Sequence, residues 1–140
     1  MAYSVLIVDD QALPRQYFES IVNHSDNYSL KAAISSAKMA YSYCTRGDVD
    51  LILMDIVMSD EVNGLEAAKK IKQNYPNIKI LAVTSMPDVT FLEKARSAGV
   101  DSFWYKEVQD VPLLEIMDRT MAGEHVYPDD APIVSIGLAK

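Results

Sequence analysis

Four polar clusters in this sequence each follow a short apolar run. Asp9-Asp10 comes after Val5-Leu6-Ile7-Val8, Asp55 after Leu51-Ile52-Leu53-Met54, Thr84-Ser85 after Ile80-Leu81-Ala82-Val83, and Lys106 after Phe103-Trp104-Tyr105. If the runs are neighbouring parallel strands, their carboxyl ends bring together three carboxylates, a hydroxyl pair and an ammonium group. Three carboxylates at one place repel one another, so the cluster is unfavourable without a cation to neutralise it. No histidine or cysteine stands in these clusters, which argues against zinc. A hard ion with oxygen ligands fits, and Mg²⁺ fits best because it is commonly held by one or two carboxylates plus phosphate oxygens. With the charge compensated, a carboxylate such as Asp55 can act as nucleophile on phosphorus, while Thr84 and Lys106 pair with the phosphoryl oxygens.

Each cluster also has an ordinary explanation. Asp9-Asp10 could be a helix N-cap, Asp55 a turn residue, Thr84 a helix-start residue and Lys106 a solvated charge. Four independent explanations of this kind do not predict that all four fall at strand ends on one edge of a sheet.

The elements that must position these residues follow from the periodicity. Runs at 4–8, 29–34, 51–54, 78–83 and 102–105 have strand character, and each is followed by apolar residues at helical spacing. Leu13, Tyr17 and Ile21 mark the first helix, Leu65, Ala68, Ile71 and Tyr75 the third, and Leu113, Met117 and Met121 the last. Strands that are apolar at nearly every position are expected where helices cover both faces of a parallel sheet. The pattern predicts a flavodoxin-like (βα)5 doubly wound α/β fold, a five-stranded parallel sheet of order 2-1-3-4-5, with its site outside the carboxyl ends of the strands. Gly47 and Gly99 are expected to end helices two and four, Pro14 to lie in a first turn, and Asp88 and Asp110 to cap helix starts.

Composition is consistent with one domain: 140 residues, 49% apolar and 24% charged, suit a single core, because domains most often run about 100–150 residues. A net charge of −7 works against direct binding to nucleic-acid backbones. The apolar runs are far shorter than the roughly 20 residues of a membrane span, and no leader pattern precedes them, so a soluble, unprocessed, cytoplasmic chain is expected. The single cysteine, Cys44, can form no internal disulfide and is read as a helix residue. After Met121 the period dissolves, so residues 123–140 are read as a linker or tail and the folded domain is expected to end near Ala122.

The motifs Val-Leu-Ile-Val-Asp9-Asp10-Gln11, Leu-Ile-Leu-Met-Asp55-Ile-Val-Met58, Val83-Thr84-Ser85 and Phe103-Trp104-Tyr105-Lys106 resemble those of bacterial response-regulator receiver domains over about residues 1–122. The resemblance implies Asp55 as phosphoacceptor from a sensor histidine kinase. It implies Asp9, Asp10, Asp55 and the Val57 backbone carbonyl as Mg²⁺ ligands, and Lys106 and Thr84 on the phosphate. It also implies a switch in which Phe103 reorients as Thr84 moves, read out on helix four, strand five and helix five. Such a domain promotes its own phosphoryl transfer and slow dephosphorylation without steady turnover. Ser59 and Glu107 depart from the family's prolines, and the loop from Asp55 to Gly64 is one residue longer than usual. Lys106-Glu107, Ala98-Gly99-Val100-Asp101 and the run Met121 to Pro128 resemble the NarL/FixJ subclass, whose receiver precedes a LuxR-type helix-turn-helix. The implied partners are therefore a sensor histidine kinase, a second copy on phosphorylation, and DNA only through a further domain; no membrane contact is implied.

Three other readings compete. A haloacid-dehalogenase-type phosphatase would carry a second Asp where Val57 stands, and a flavin or nucleotide module would need a phosphate-cradling loop where Asp9-Asp10-Gln11 stands. A receiver that is not phosphorylated and serves as an interaction module, alone or with its tail, is the remaining one.

Overall fold

Strands and helices alternate through the chain in the order β1 (Tyr3–Val8), α1 (Ala12–Asn23), β2 (Tyr28–Ile34), α2 (Ala37–Thr45), β3 (Leu51–Asp55), α3 (Gly64–Asn74), β4 (Lys79–Thr84), α4 (Val89–Ala98), β5 (Ser102–Tyr105) and α5 (Leu113–Met121). The computed structural model describes residues 2–56, 64–84, 89–105 and 112–128. The strands form one parallel sheet in the order β2-β1-β3-β4-β5, as the sequence pattern predicts.

The near-continuous apolar strands divide their side chains between two faces with period two. Leu6, Val8, Ile52, Met54, Ile80, Ala82, Phe103 and Tyr105 pack with α2, α3 and α4. Val5, Ile7, Leu51, Leu53, Leu81, Val83 and Trp104 pack with α1 and α5. Every residue of β3 is buried, which is why its sequence carries no polar alternation.

Register fixes which residues meet at the carboxyl edge. Val8 pairs with Met54, Asp55 with Val83 and Thr84 with Tyr105, so Asp9 and Asp55 emerge side by side with Thr84 one strand further. α4 stops where expected: Gly99 has φ +88°, a conformation side chains disfavour, and the Val100 N–H closes back on the Ala95 carbonyl at 3.0 Å. Asp88 and Asp110, expected as helix caps, lie outside the described residues. The N-cap position of α5 is held by Pro112, two residues after Asp110.

The described part of the stretch after α5 packs against the domain. Val126 and Tyr127 join the two core clusters, Tyr127 as a buried member, so the packed unit runs past Ala122 to at least Tyr127. No helix among the described residues is long and apolar enough to cross a membrane.

Two buried groups make stability depend on alkaline pH. Burial pushes the Cys44 thiol from an ordinary 9.0 up to about 11. The Tyr28 hydroxyl donates to Asp118 Oδ1 at 2.7 Å, and its pKa is raised by burial first and by that carboxylate second. Both folded values lie above the unfolded ones, so these groups stabilise the native state fully below the unfolded pKa and lose that contribution as pH rises through the folded pKa. Urea midpoints should therefore fall between pH 9 and about 11. Cys44→Ala should flatten part of the slope; an identical slope in that variant would assign the dependence to other groups.

Candidate functional site

At the carboxyl edge of the sheet, Asp9, Asp10 and Asp55 each offer a carboxylate oxygen, and these oxygens lie within 4.8 Å of one another. Asp9 and Asp55 are buried, whereas Asp10 is half-buried at the mouth. The sequence places them there because β1 and β3 are adjacent and end in register, leaving the first polar residue beyond each apolar run at the same height.

The Asp9-Asp10 turn is fixed from three sides. The Asp9 N–H donates to the Ile34 carbonyl at 3.0 Å, Asp9 Oδ1 accepts the Gln11 N–H at 2.9 Å, and Arg15 Nη1 donates to the Asp9 carbonyl at 2.8 Å. Asp9 thus closes an Asx turn just ahead of α1, whose N-cap position is Gln11 and carries no side-chain cap, and that turn does not exclude its use as a ligand. Arg15 was not legible as part of the site. Its only signal is its place in the first turn after the acids, where the Arg15 N–H closes on the Gln11 carbonyl at 3.2 Å.

Thr84 is buried at the end of β4, the strand beside β3. Phe103, the expected switch aromatic, is fully buried in β5, with the Tyr105 ring edge-on at 5.2 Å. Lys106 and Val57, the expected phosphate partner and carbonyl ligand, lie outside the described residues, as do Ser59 and Glu107. The structure therefore brings together Asp9, Asp10 and Asp55, with Thr84 at the end of the next strand and Phe103 on β5, two strands from β3.

Gly64 supplies a support that was not read from the sequence, where it marked only a loop end. A Cβ at this position would overlap the Asp55 carbonyl oxygen and stand 2.8 Å from Ile56 Cα, so the first turn of α3 lies directly against the backbone of the central acid. The donor set is all oxygen, two of the three carboxylates are buried, and no histidine or cysteine takes part, which fits a hard divalent cation and disfavours zinc.

Comparison with known proteins identifies the family. The sequence profile of the response regulator receiver domain matches residues 5–118. The response regulator protein VraR of Staphylococcus aureus is 32% identical over 127 residues, which cover 91% of this chain and 60% of that protein. The chain thus spans about 60% of the length of the curated relatives it matches. Among solved structures, a LuxR-family two-component response regulator from Aurantimonas superposes with a TM-score of 0.87 at 23% identity, over 100% of both chains, and shows the shared fold. A DNA-binding response regulator of the LuxR family from Staphylococcus aureus superposes with a TM-score of 0.76 at 26% identity, over 85% of this chain and 98% of that one. With the profile match extending from β1 through most of α5, the chain belongs to the family of response regulator receiver domains.

Proposed function

We propose that this chain is a phosphorylation-activated switch that accepts a phosphoryl group on Asp55 and passes the change to a DNA-binding domain further along the polypeptide. The observation that carries the reading is the meeting of the Asp9, Asp10 and Asp55 carboxylates beside Thr84 at one edge of a parallel sheet. An Asp55 oxygen attacks the phosphorus of the donor. The new O–P bond forms as the bond to the leaving group breaks, and the leaving group departs with that electron pair, giving an acyl phosphate. A sensor histidine kinase is the donor in this reading, and the imidazole of its phosphohistidine is the leaving group.

Each residue has a task in that step. Asp9 and Asp10, with Asp55 itself and the Val57 carbonyl, would hold Mg²⁺. Bound there, the ion offsets the negative charge of carboxylates and phosphoryl group alike. Thr84 donates its hydroxyl to a phosphoryl oxygen, and Lys106 pairs with another. Arg15 fixes the Asp9 carbonyl and so holds the turn that carries the two ligands. The residue two positions after the nucleophile in sequence is Val57, which offers no acid-base group to drive rapid turnover.

The transcriptional output rests on the similarity to a LuxR-family DNA-binding response regulator and to VraR, of whose length this chain spans 60%. A second copy would join on phosphorylation, and DNA would be read by a helix-turn-helix beyond residue 140. The net charge of −7 agrees with leaving DNA contact to another domain. A small-molecule phosphodonor with Mg²⁺ should add one phosphoryl group to the chain, and chelation of the metal should abolish the addition. Equal labelling in excess chelator would refute the metal-dependent step.

A further inference from the structure

β5 is an edge strand, and its outward N–H groups would otherwise face away from the sheet. The chain returns after α5 to cover that edge. The Phe103 N–H donates to the Val126 carbonyl at 2.8 Å, and the Val126 N–H donates to Ser102 Oγ at 3.0 Å. Next to them the Tyr127 hydroxyl donates to the Val100 carbonyl at 2.7 Å, and only 4% of Tyr127 is exposed.

The contact falls on the residue expected to switch. The Phe103 and Tyr127 ring centroids are 6.0 Å apart, and the Tyr105 ring stands 5.2 Å from Phe103 as well. The Arg96 guanidinium carbon, from α4, stands 4.2 Å over the Tyr127 ring. Tyr127 therefore touches both α4 and β5, two of the three elements of the expected readout surface. Phe103 has no exposed surface, and interiors this closely packed do not let one ring reorient while its neighbours stay still.

We propose that residues 124–127 form a latch whose docking favours the unphosphorylated arrangement, so that phosphorylation at Asp55 loosens Tyr127 and carries the signal directly into the chain beyond residue 128. The inference rests on the reading of Asp55 as phosphoacceptor and of Phe103 as the residue that reorients with it, and adds a second path out of the switch. Beside any change on the helical faces, the linker itself responds, because its first anchored residues sit on Phe103. Coupling of this kind is reciprocal: if the phosphoryl group weakens docking, weaker docking must favour the phosphoryl-bound state by the same factor.

The test uses the 140-residue chain with beryllofluoride and Mg²⁺ as the probe. In the wild type, binding should speed hydrogen exchange at the Phe103 amide, which is bonded to the Val126 carbonyl. Tyr127→Ala should bind beryllofluoride about five-fold or more tightly than the wild type, with Tyr127→Phe, which keeps the ring and loses the bond to Val100, between them. Tyr17→Ala, an exposed position on α1, should leave the affinity unchanged. Unchanged or weaker binding by Tyr127→Phe, together with unchanged protection at Phe103 in the bound wild type, overturns the latch even if Tyr127→Ala fails to fold. Absence of any beryllofluoride binding that depends on Asp55 overturns the phosphoacceptor reading, and the latch with it.

Discussion

Gly64→Ala is expected to unfold at a markedly lower urea concentration than the wild type, by about 3 kcal/mol, the upper end of what added core atoms usually cost. The reason is what the new methyl group would meet. Its neighbours are the Asp55 carbonyl oxygen, Ile56 Cα at 2.8 Å and the Asp55 carbonyl carbon at 3.0 Å, all of them backbone. A flexible side chain could swing aside, but the end of a fully buried central strand cannot do so without disturbing its hydrogen bonds to β1 and β4. The same shift would displace Asp55 relative to Asp9 and Asp10. Any folded Gly64→Ala protein should therefore also respond less to Mg²⁺ in thermal unfolding. A midpoint within error of the wild type would mean that α3 can draw back freely from β3.

The second large effect is expected at Asp101, on the opposite edge of the sheet from the acids. This carboxylate is 4% exposed, and its Oδ2 accepts both the Lys72 ammonium at 3.0 Å and the Ile80 N–H at 2.8 Å. Lys72 also donates to the Pro76 and Ile78 carbonyls at 3.0 and 2.9 Å, so one ion pair ties α3 to the entries of β4 and β5. Asp101→Ala removes the acceptor from a buried N–H and the counter-charge from a largely buried lysine. A loss of about 3 kcal/mol is expected, the lower end for a broken buried pair because Lys72 keeps its two carbonyl acceptors. Asp101→Asn retains an acceptor for Ile80 and should lose less. If both variants are equally destabilised, the charge rather than the hydrogen bond sets the loss. Phosphoryl acceptance by the folded fraction should not change in either, since Asp101 precedes β5 while Asp9 and Asp10 follow β1 and Asp55 ends β3.

How much could be read from the sequence depended on whether a feature is written in a period. The five strands and their helices were legible because burial on two faces forces apolar runs, and the order of the strands followed from the parallel fold class. Asp9, Asp10, Asp55 and Thr84 could be recognised together because each stands at, or within two residues of, the end of such a run, and the sheet register then does the rest. Arg15, Gly64 and Tyr127 have no such signature. Arg15 acts through one long side chain reaching back to a carbonyl, Gly64 through a close approach between two backbones, and Tyr127 through a ring in an aperiodic stretch with prolines. These are contacts between segments distant in sequence or facing at one atom, and local pattern does not encode them. The packing of Val126 and Tyr127 on the core was not legible for the same reason: loss of helical period marks the end of a helix, not the end of packing.

The most direct measurement is the intact mass of the chain after incubation with acetyl phosphate and Mg²⁺, beside an Asp55→Ala control. One phosphoryl group gained by the wild type and none by the control is the predicted result. No gain in folded wild-type protein that binds Mg²⁺, or an equal gain in the control, would contradict it and leave the domain a receiver that works without phosphorylation at Asp55.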